Sequence, residues 1–420
     1  MSSEKKQFST SDRVKEVKPN IWVEFTSLAV ECNAVNIGQG FPDTPAPDFV
    51  VKMLENVTKH PERTDFHQYT RSFGHPKLVH ILLYSRTLGV DVDAQQNVLV
   101  TVGAYLSLYY AFMGWLNQGD EVIVINPAFD CYVPQILMAG GIPVSVVLEL
   151  PSEFSSSADY TLDLKALEAK INQRTKMIVI NNPHNPTGKL FTLKELEGIA
   201  DIVQRHNLLV IADEVYEWHV YGGKRMHRFA SLPNMYEHTI TVGSAGKAFS
   251  VTGWKLGWSV GPAKLLEPLR RIHQNCIFTC PTPIQEAVAE AFEKEMDIMQ
   301  SNPTESYLKN GITLNLMEKR DRMASILQEV GMKPVIPDSG YFMVADFSNI
   351  DGPFKLANNT GDPLDFRFVR WLCREKKLAV IPNSAFYDNE NKLKNDRFVR
   401  VCFFKSDEVL DAAEAILRSF

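Results

Sequence analysis

No apolar run in this 420-residue chain approaches the roughly 20 residues that a membrane-crossing helix needs, so no span is expected. Positive charge is not in excess either. The 44 Lys and Arg stand against 50 Asp and Glu, a formal net charge of −6, which removes the electrostatic footprint of a nucleic-acid or anionic-membrane binder. Cysteine is sparse. The six residues (Cys32, Cys131, Cys276, Cys280, Cys373, Cys402) are scattered, and only Cys276 and Cys280 lie close, without the second pair a zinc site would need. They read as buried, reduced thiols of a reducing compartment. Residues 1–18 are polar with mixed charge, showing neither a secretory apolar core nor the Arg-rich, acid-poor character of a transit peptide, and a cytosolic location is expected. Two glycine signatures are missing as well. Gly38-x-Gly40 has Asp43 where the third glycine of a dinucleotide fingerprint belongs, and around Lys247 the P-loop positions hold Thr241 and Ala248. A nicotinamide fingerprint and a Walker site are both excluded by spelling.

The chain is long enough for more than one domain, and its hydrophobic and charged fractions are those of an ordinary globular protein. Seven short apolar runs, at 97–102, 121–125, 143–147, 176–180, 208–212, 239–242 and 256–260, are mostly unbroken, as strands covered on both faces are. Amphipathic stretches separate several of them, among them 192–206, where Thr192 and Glu195 spell a capping box. The pattern predicts an α/β fold with a mostly parallel seven-stranded sheet, whose ligand binds at the carboxyl ends of the strands. Helices are expected over 21–30, 48–56 with Asp48 as cap, 76–88, 406–420 and, as one long element, 303–330. Strand-like runs at 340–345, 378–381 and 398–403 predict a second, smaller α/β domain completed by N-terminal residues. The expected division is 1–50 as N-terminal arm and part of the small domain, 51–302 as the large domain and 303–420 as the small domain.

Chemistry gathers at the strand ends. Lys247 stands on a turn of small residues after the 239–242 run, open to a bulky planar partner, and Lys255 follows eight residues on. A lysine on such a turn is ordinarily solvated, so partners must come from elsewhere; desolvated, it becomes a nucleophile toward an aldehyde. Gly103-Ala104-Tyr105 opens a helical run and offers backbone N–H groups and a helix dipole to a phosphate. Phe129 follows the 121–125 run and could stack on a flat heterocycle. Asn185 lies in a loop stiffened by Pro183, Pro186 and Gly188, which would aim its amide at a phenolic oxygen. Asp213 closes a buried strand and needs a partner, such as a pyridinium nitrogen, whereas Glu214 is expected at the surface. Tyr216 adds a hydroxyl, and Ser244 and Lys255 add a hydroxyl and a charge for a phosphate. The set fits pyridoxal 5′-phosphate, with Lys247 holding the aldehyde as a Schiff base and Asp213 keeping the ring nitrogen protonated.

Four motifs stand in one order along the chain: the Gly103 turn, Asn185-Pro186-Thr187-Gly188, Asp213-Glu214-Val215-Tyr216, and Ser244-Ala245-Gly246-Lys247. In these the chain resembles the class I/II aminotransferases of fold type I. The segments 36–43, 68–70 and 129–132 bring it nearest to the group of kynurenine aminotransferases, glutamine transaminase K and cysteine-S-conjugate β-lyases. The resemblance implies a transaminase for kynurenine, glutamine or other aromatic and sulfur-bearing amino acids. It further implies Arg400 as the receptor for the substrate carboxylate, Gly40, Trp22, Asn185 and Phe278 as substrate-site positions, and Tyr69 reaching the phosphate of a neighbouring subunit in a homodimer. No metal is implied. β-Elimination from cysteine conjugates at the same site is the alternative activity, and a non-catalytic binder of the cofactor a further one. Three positions depart from the group's pattern. Ala128 and Thr279 are expected to touch the side-chain pocket, and Asn383 stands where glycine is common, in a left-handed conformation that asparagine tolerates.

Overall fold

The computed structural model describes residues 9–78, 84–85, 87–93, 95–356 and 361–420. Its largest sheet uses β2 (Val98–Thr101), β3 (Glu121–Asn126), β4 (Ile142–Glu149), β5 (Thr161–Leu162), β6 (Thr175–Asn181), β7 (Leu209–Asp213), β8 (Thr239–Ser244) and β9 (Gly257–Val260). The order is β2-β9-β8-β7-β6-β3-β4-β5, with β9 antiparallel to both its neighbours, the run β8-β7-β6-β3-β4 paired in parallel, and the edge strand β5 antiparallel to β4. The sheet therefore has eight strands rather than the expected seven. The extra strand is two residues, Thr161 and Leu162, folded back on Glu149 and Leu148, too short to leave a periodic trace in sequence.

Continuous apolar runs become central strands because each face needs its own cover. Val122, Val124, Met177, Val179, Ile211 and Val242 join one cluster, while the intervening Ile123, Ile125, Ile178, Ile180, Val210 and Ala212 join another on the opposite face. On one face the helix Gly103–Trp115 packs, and on the other Leu193–His206, whose capping box forms as expected: Thr192 Oγ1 accepts from Glu195 N, and Glu195 Oε2 accepts from Thr192 N at 2.8 Å.

A second, four-stranded antiparallel sheet contains β10 (Lys333–Val335), β11 (Phe342–Asp346), β13 (Ile381–Pro382) and β14 (Phe398–Cys402) in the order β10-β11-β14-β13. A two-stranded parallel pair joins the ends of the chain: β1 (Val35–Asn36) lies on β12 (Leu378–Ala379). The helix Ile21–Glu31 packs beside Leu364–Lys376 in the same region.

Local expectations meet four corrections. The long helix over 303–330 is a 3-10 turn (Pro303–Glu305), a π turn (Tyr307–Gly311) and an α-helix (Ile312–Glu329). The buried Glu295 carboxylate causes the interruption, accepting from Ser306 Oγ at 2.8 Å and from the Tyr307 and Leu308 amides at 3.3 and 3.0 Å. Asp48 is the first residue of its helix rather than its cap, because Pro47 occupies the cap with extended backbone. Asn383 does not adopt the left-handed conformation and instead opens a buried 3-10 turn, Asn383–Phe386. Cys276 is exposed and Cys32 half-exposed, though the other four thiols are buried. Of the helix expected over 76–88, residues 79–83 and 86 lie outside the described residues; 84–85 and 87–88 are helical, while 76–77 form a turn instead. Among the described residues no helix is long and apolar enough to cross a membrane.

Because the capping box closes two otherwise unsatisfied donors, Thr192→Ala is expected to cost about 1 kcal/mol of stability. Urea unfolding should show it as a lowered midpoint with an unchanged slope.

Candidate active site

The carboxyl ends of β2, β3, β6, β7 and β8 share one edge of the large sheet, and a cavity of about 320 Å³ opens there toward β11 and β14. Lys247 reaches it from the turn Ala245–Ala248, held by its own amide donating to Ser244 Oγ at 3.3 Å. Its Nζ donates to the Gly40 carbonyl at 3.3 Å and to the Tyr341 hydroxyl. Burial lowers its pKa to about 8; Cys402 opposes this, as Asp213 does less strongly, while the Arg400 and Lys255 charges add to it.

Asp213 is buried at the end of β7. Its Oδ2 accepts from Tyr132 Oη at 2.6 Å and its Oδ1 from Val215 N at 3.4 Å. Burial raises its pKa to about 6, and the Tyr132 hydroxyl limits the rise. Asn181 braces the neighbouring loop, donating from Nδ2 to Asp213 O at 2.9 Å and accepting from Asn185 N at 2.7 Å. Glu214 is not at the surface. It is 1% exposed and bound to Arg228 Nη1 at 2.7 Å and to Phe229 N at 3.1 Å, so a buried arginine supplies the partner that water was expected to supply.

Arg400, on β14, is 1% exposed. Its Nη1 donates to Asn185 Oδ1 and its Nη2 to the Gly38 carbonyl, both at 3.1 Å, while Nε has no partner. Rings of Phe342, Phe386 and Trp22 lie 3.9, 4.8 and 5.1 Å from the guanidinium carbon. Among the described residues no carboxylate lies within ion-pair distance of it. Burial lowers its pKa to about 10. A charge so placed calls for an anion, and its fork suits a carboxylate. Trp22 is fixed over the site by donating from Nε1 to Asp130 Oδ2 at 2.9 Å, an oxygen that also accepts from Asn20 Nδ2 at 2.7 Å.

Opposite Asp213 the chain offers a phosphate cradle. Gly103, with φ 74°, begins the thirteen-residue helix Gly103–Trp115, and Lys255 approaches it so closely that a Cβ on Gly103 would sit 3.4 Å from Nζ. Gly257 lets this happen, since a Cβ there would stand 2.4 Å from Ala104 N. Lys255 has no carboxylate partner at ion-pair distance among the described residues, which leaves it for an anion. The donor set fits pyridoxal 5′-phosphate: a poised amine, a buried carboxylate, and a helix N-terminus with a cation between 8-stranded sheet and cavity.

Gly103, Ala104, Tyr105, Phe129, Asn185, Asp213, Tyr216, Ser244, Lys247 and Lys255 all line this cavity, as do Trp22, Gly40 and Arg400. Tyr69 and Phe278 do not. They stack edge to face, with centroids 5.4 Å apart, and are 83% and 52% exposed. Ala128 and Thr279 do not line the cavity either; Ala128 is buried, its amide donating to Phe386 O at 2.7 Å. Sequence reasoning missed Tyr132, Asn181 and Tyr341. The first two stand in segments already singled out, so they were within reach; nothing in the run 340–345 distinguishes Tyr341 from a core aromatic.

Residues 33–416 match the family described as aminotransferase class I and II. Human kynurenine–oxoglutarate transaminase 3 is 46% identical over 419 residues, covering 99% of this chain and 91% of the relative. Mouse kynurenine–oxoglutarate transaminase 1 is 44% identical, covering 97% of each. The crystal structure of Bna3p from Saccharomyces cerevisiae superposes with a TM-score of 0.91 at 31% identity, covering 99% of both chains. YbdL from Escherichia coli, with a methionine aminotransferase function, gives 0.85 at 28% identity, covering 99% of this chain and 100% of that one.

In the full-length chain without added cofactor, Lys247 should become half-reactive toward acetic anhydride near pH 8, read peptide by peptide in a mass spectrometer. An ordinary surface lysine reaches that point near its usual pKa of about 10.4. Gly257→Ala should push the Gly103–Ala104 turn out of place and weaken cofactor retention, measured by dialysis against buffer followed by absorbance.

Proposed function

This chain belongs to the class I and II aminotransferases, and on that premise we propose that it moves the amino group of kynurenine, glutamine or another aromatic or sulfur-bearing amino acid to a 2-oxo acid. It is a transaminase of fold type I, a family that works with pyridoxal 5′-phosphate. The observation that carries the substrate reading is the buried guanidinium of Arg400, with no carboxylate at ion-pair distance among the described residues, facing the same cavity as the Lys247 amine.

Ser244, Lys255 and the amides that begin the Gly103–Trp115 helix would hold the phosphate of the cofactor, with Tyr105 and Phe129 lining the same cavity. Asp213 would hold a proton on the ring nitrogen, and the Tyr132 hydroxyl, donating to that carboxylate, favours its ionised form and orients it. Asn185 and Tyr216, which line the same cavity, would supply partners for the ring oxygen. Bound there, the cofactor supplies an aldehyde for amino-group exchange and a ring that accepts the electron pair left by loss of the substrate α-proton. Arg400 would grip the α-carboxylate, assisted by Asn185 and the segment through Gly40, and Lys247 Nζ would take the proton from the substrate α-carbon. The aromatic wall of Trp22, Tyr105 and Phe129 favours flat or sulfur-bearing side chains.

The exposed pair Tyr69 and Phe278 supports a homodimer in which each completes the partner's site. Six free thiols support a reducing, cytosolic setting. The named relatives favour transamination over β-elimination.

Mixing the yellow protein with L-kynurenine or L-glutamine, without a 2-oxo acid, should bleach the visible band, and adding a 2-oxo acid should restore it. Release of pyruvate and ammonia from a cysteine conjugate would instead support elimination. Lys247→Ala should abolish turnover; multiple turnovers in that variant would sink the assignment. Arg400→Ala should lower kcat/KM on the order of 10²- to 10³-fold, chiefly through KM for the amino acid.

A further inference from the structure

The Lys247 amine has a built resting place. Its Nζ donates to Tyr341 Oη and to Gly40 O, and Tyr341 Oη donates in turn to the same Gly40 oxygen at 3.0 Å. Three polar atoms thus close a triangle, with the Tyr216 side chain hydrogen-bonded to Tyr341 beside it. Tyr341 is 1% exposed, and rings of Phe342, Tyr216, His219 and Phe404 stand 4.8, 5.2, 5.6 and 5.6 Å from its own, so the hydroxyl has no alternative orientation toward solvent. Its carbonyl accepts from Phe403 N at 3.1 Å, which ties it to the strand that carries Arg400.

A neutral amine has two N–H donors and one lone pair. With both donors engaged by Tyr341 and Gly40, the lone pair has one direction left, and in the charged form the third N–H takes that direction. We propose that Tyr341 is a positioning residue: together with the Gly40 carbonyl its hydroxyl docks the free Lys247 amine and aims its transferable proton, or its lone pair, into the cavity. This rests on the reading of Lys247 as the group that moves the α-proton. The amine faces Arg400, Lys255, Asp213 and Cys402, with Tyr216, Tyr341 and His219 packed around it. Cys402 and then Asp213 favour its charge, and Arg400 and then Lys255 disfavour it. Burial, followed by Lys247 itself, holds His219 neutral with a pKa near 3, and burial raises that of the Cys402 thiol. The Tyr341 hydroxyl and the Gly40 carbonyl are therefore the acceptors available to the ammonium form, and losing one of them makes the proton easier to lose.

Tyr341→Phe keeps the ring and removes the hydroxyl. In the full-length chain without cofactor, the half-reaction pH of Lys247 with acetic anhydride should fall by about one unit from the native value. In the loaded enzyme kcat should fall roughly 10- to 100-fold with KM for the amino donor unchanged, and the kinetic isotope effect with an α-deuterated donor should rise. Phe404→Leu, which trims a ring beside Tyr341 without touching the hydroxyl, should keep the native half-reaction pH. A Tyr341→Phe protein with native half-reaction pH overturns the proposal, and so does one whose kcat falls without any rise in the isotope effect, since packing alone would then explain it. Turnover by Lys247→Ala would instead overturn the reading of the lysine, whatever Tyr341→Phe does.

Discussion

Arg400 Nη1 and Nη2 reach only neutral oxygens, those of Asn185 and Gly38, within a protein interior where an unpaired charge is costly. Much of the site follows from that constraint. The guanidinium is kept charged by two carbonyl oxygens and by three aromatic faces, which stabilise a cation without neutralising it. A carboxylate in the fold would have satisfied Arg400 more cheaply and left nothing for a substrate. The segment that carries Gly38 also carries Gly40, so the same short stretch of backbone meets both the anion receptor and the reactive amine. Distance between the two functional cations is thereby set by three residues of main chain rather than by the meeting of two flexible side chains. Phe342 closes the arrangement: a Cβ on Gly40 would stand 2.3 Å from its ring, so glycine is what allows backbone, ring and cation to stack.

Most of the site could be read in the sequence because the parallel sheet concentrates it. Each apolar run predicts a strand, each strand has one carboxyl end, and residues such as Asp213, Asn185, Ser244 and Lys247 lie within a few positions of such an end. The sheet was legible for the same reason, apart from β5, whose two residues carry no periodicity. What was hidden is what joins distant segments. Tyr132 meets Asp213 across 81 positions, Tyr341 meets Lys247 across 94, and Trp22 meets Asp130 across 108. An aromatic residue looks the same in sequence whether its hydroxyl is functional or its ring merely fills space.

Glu214 was misplaced for a related reason. Its partner Arg228 lies only 14 positions away, yet the intervening loop contains nothing periodic that would predict the turn back. The interrupted helix after residue 302 was misread because Glu295, in the preceding helix, captures donors that a helical pattern assigns to their own backbone. In both cases a buried carboxylate overrides a local propensity, and propensity is all that a short window of sequence reports.

The parallel pair of β1 and β12 matches Val35 with Leu378, and beyond it Cys402 N donates to Ile37 O at 2.6 Å. This has a consequence for biosynthesis. The stretch carrying Gly38 and Gly40 leaves the ribosome early, whereas its docking surface is among the last parts of the chain to be made. During translation the large sheet can assemble around the lysine turn while the early segment waits without a seat. A chain cut before Leu378 would lose both the strand that seats the Gly38–Gly40 stretch and Arg400, so the anion receptor and its backbone support would go together.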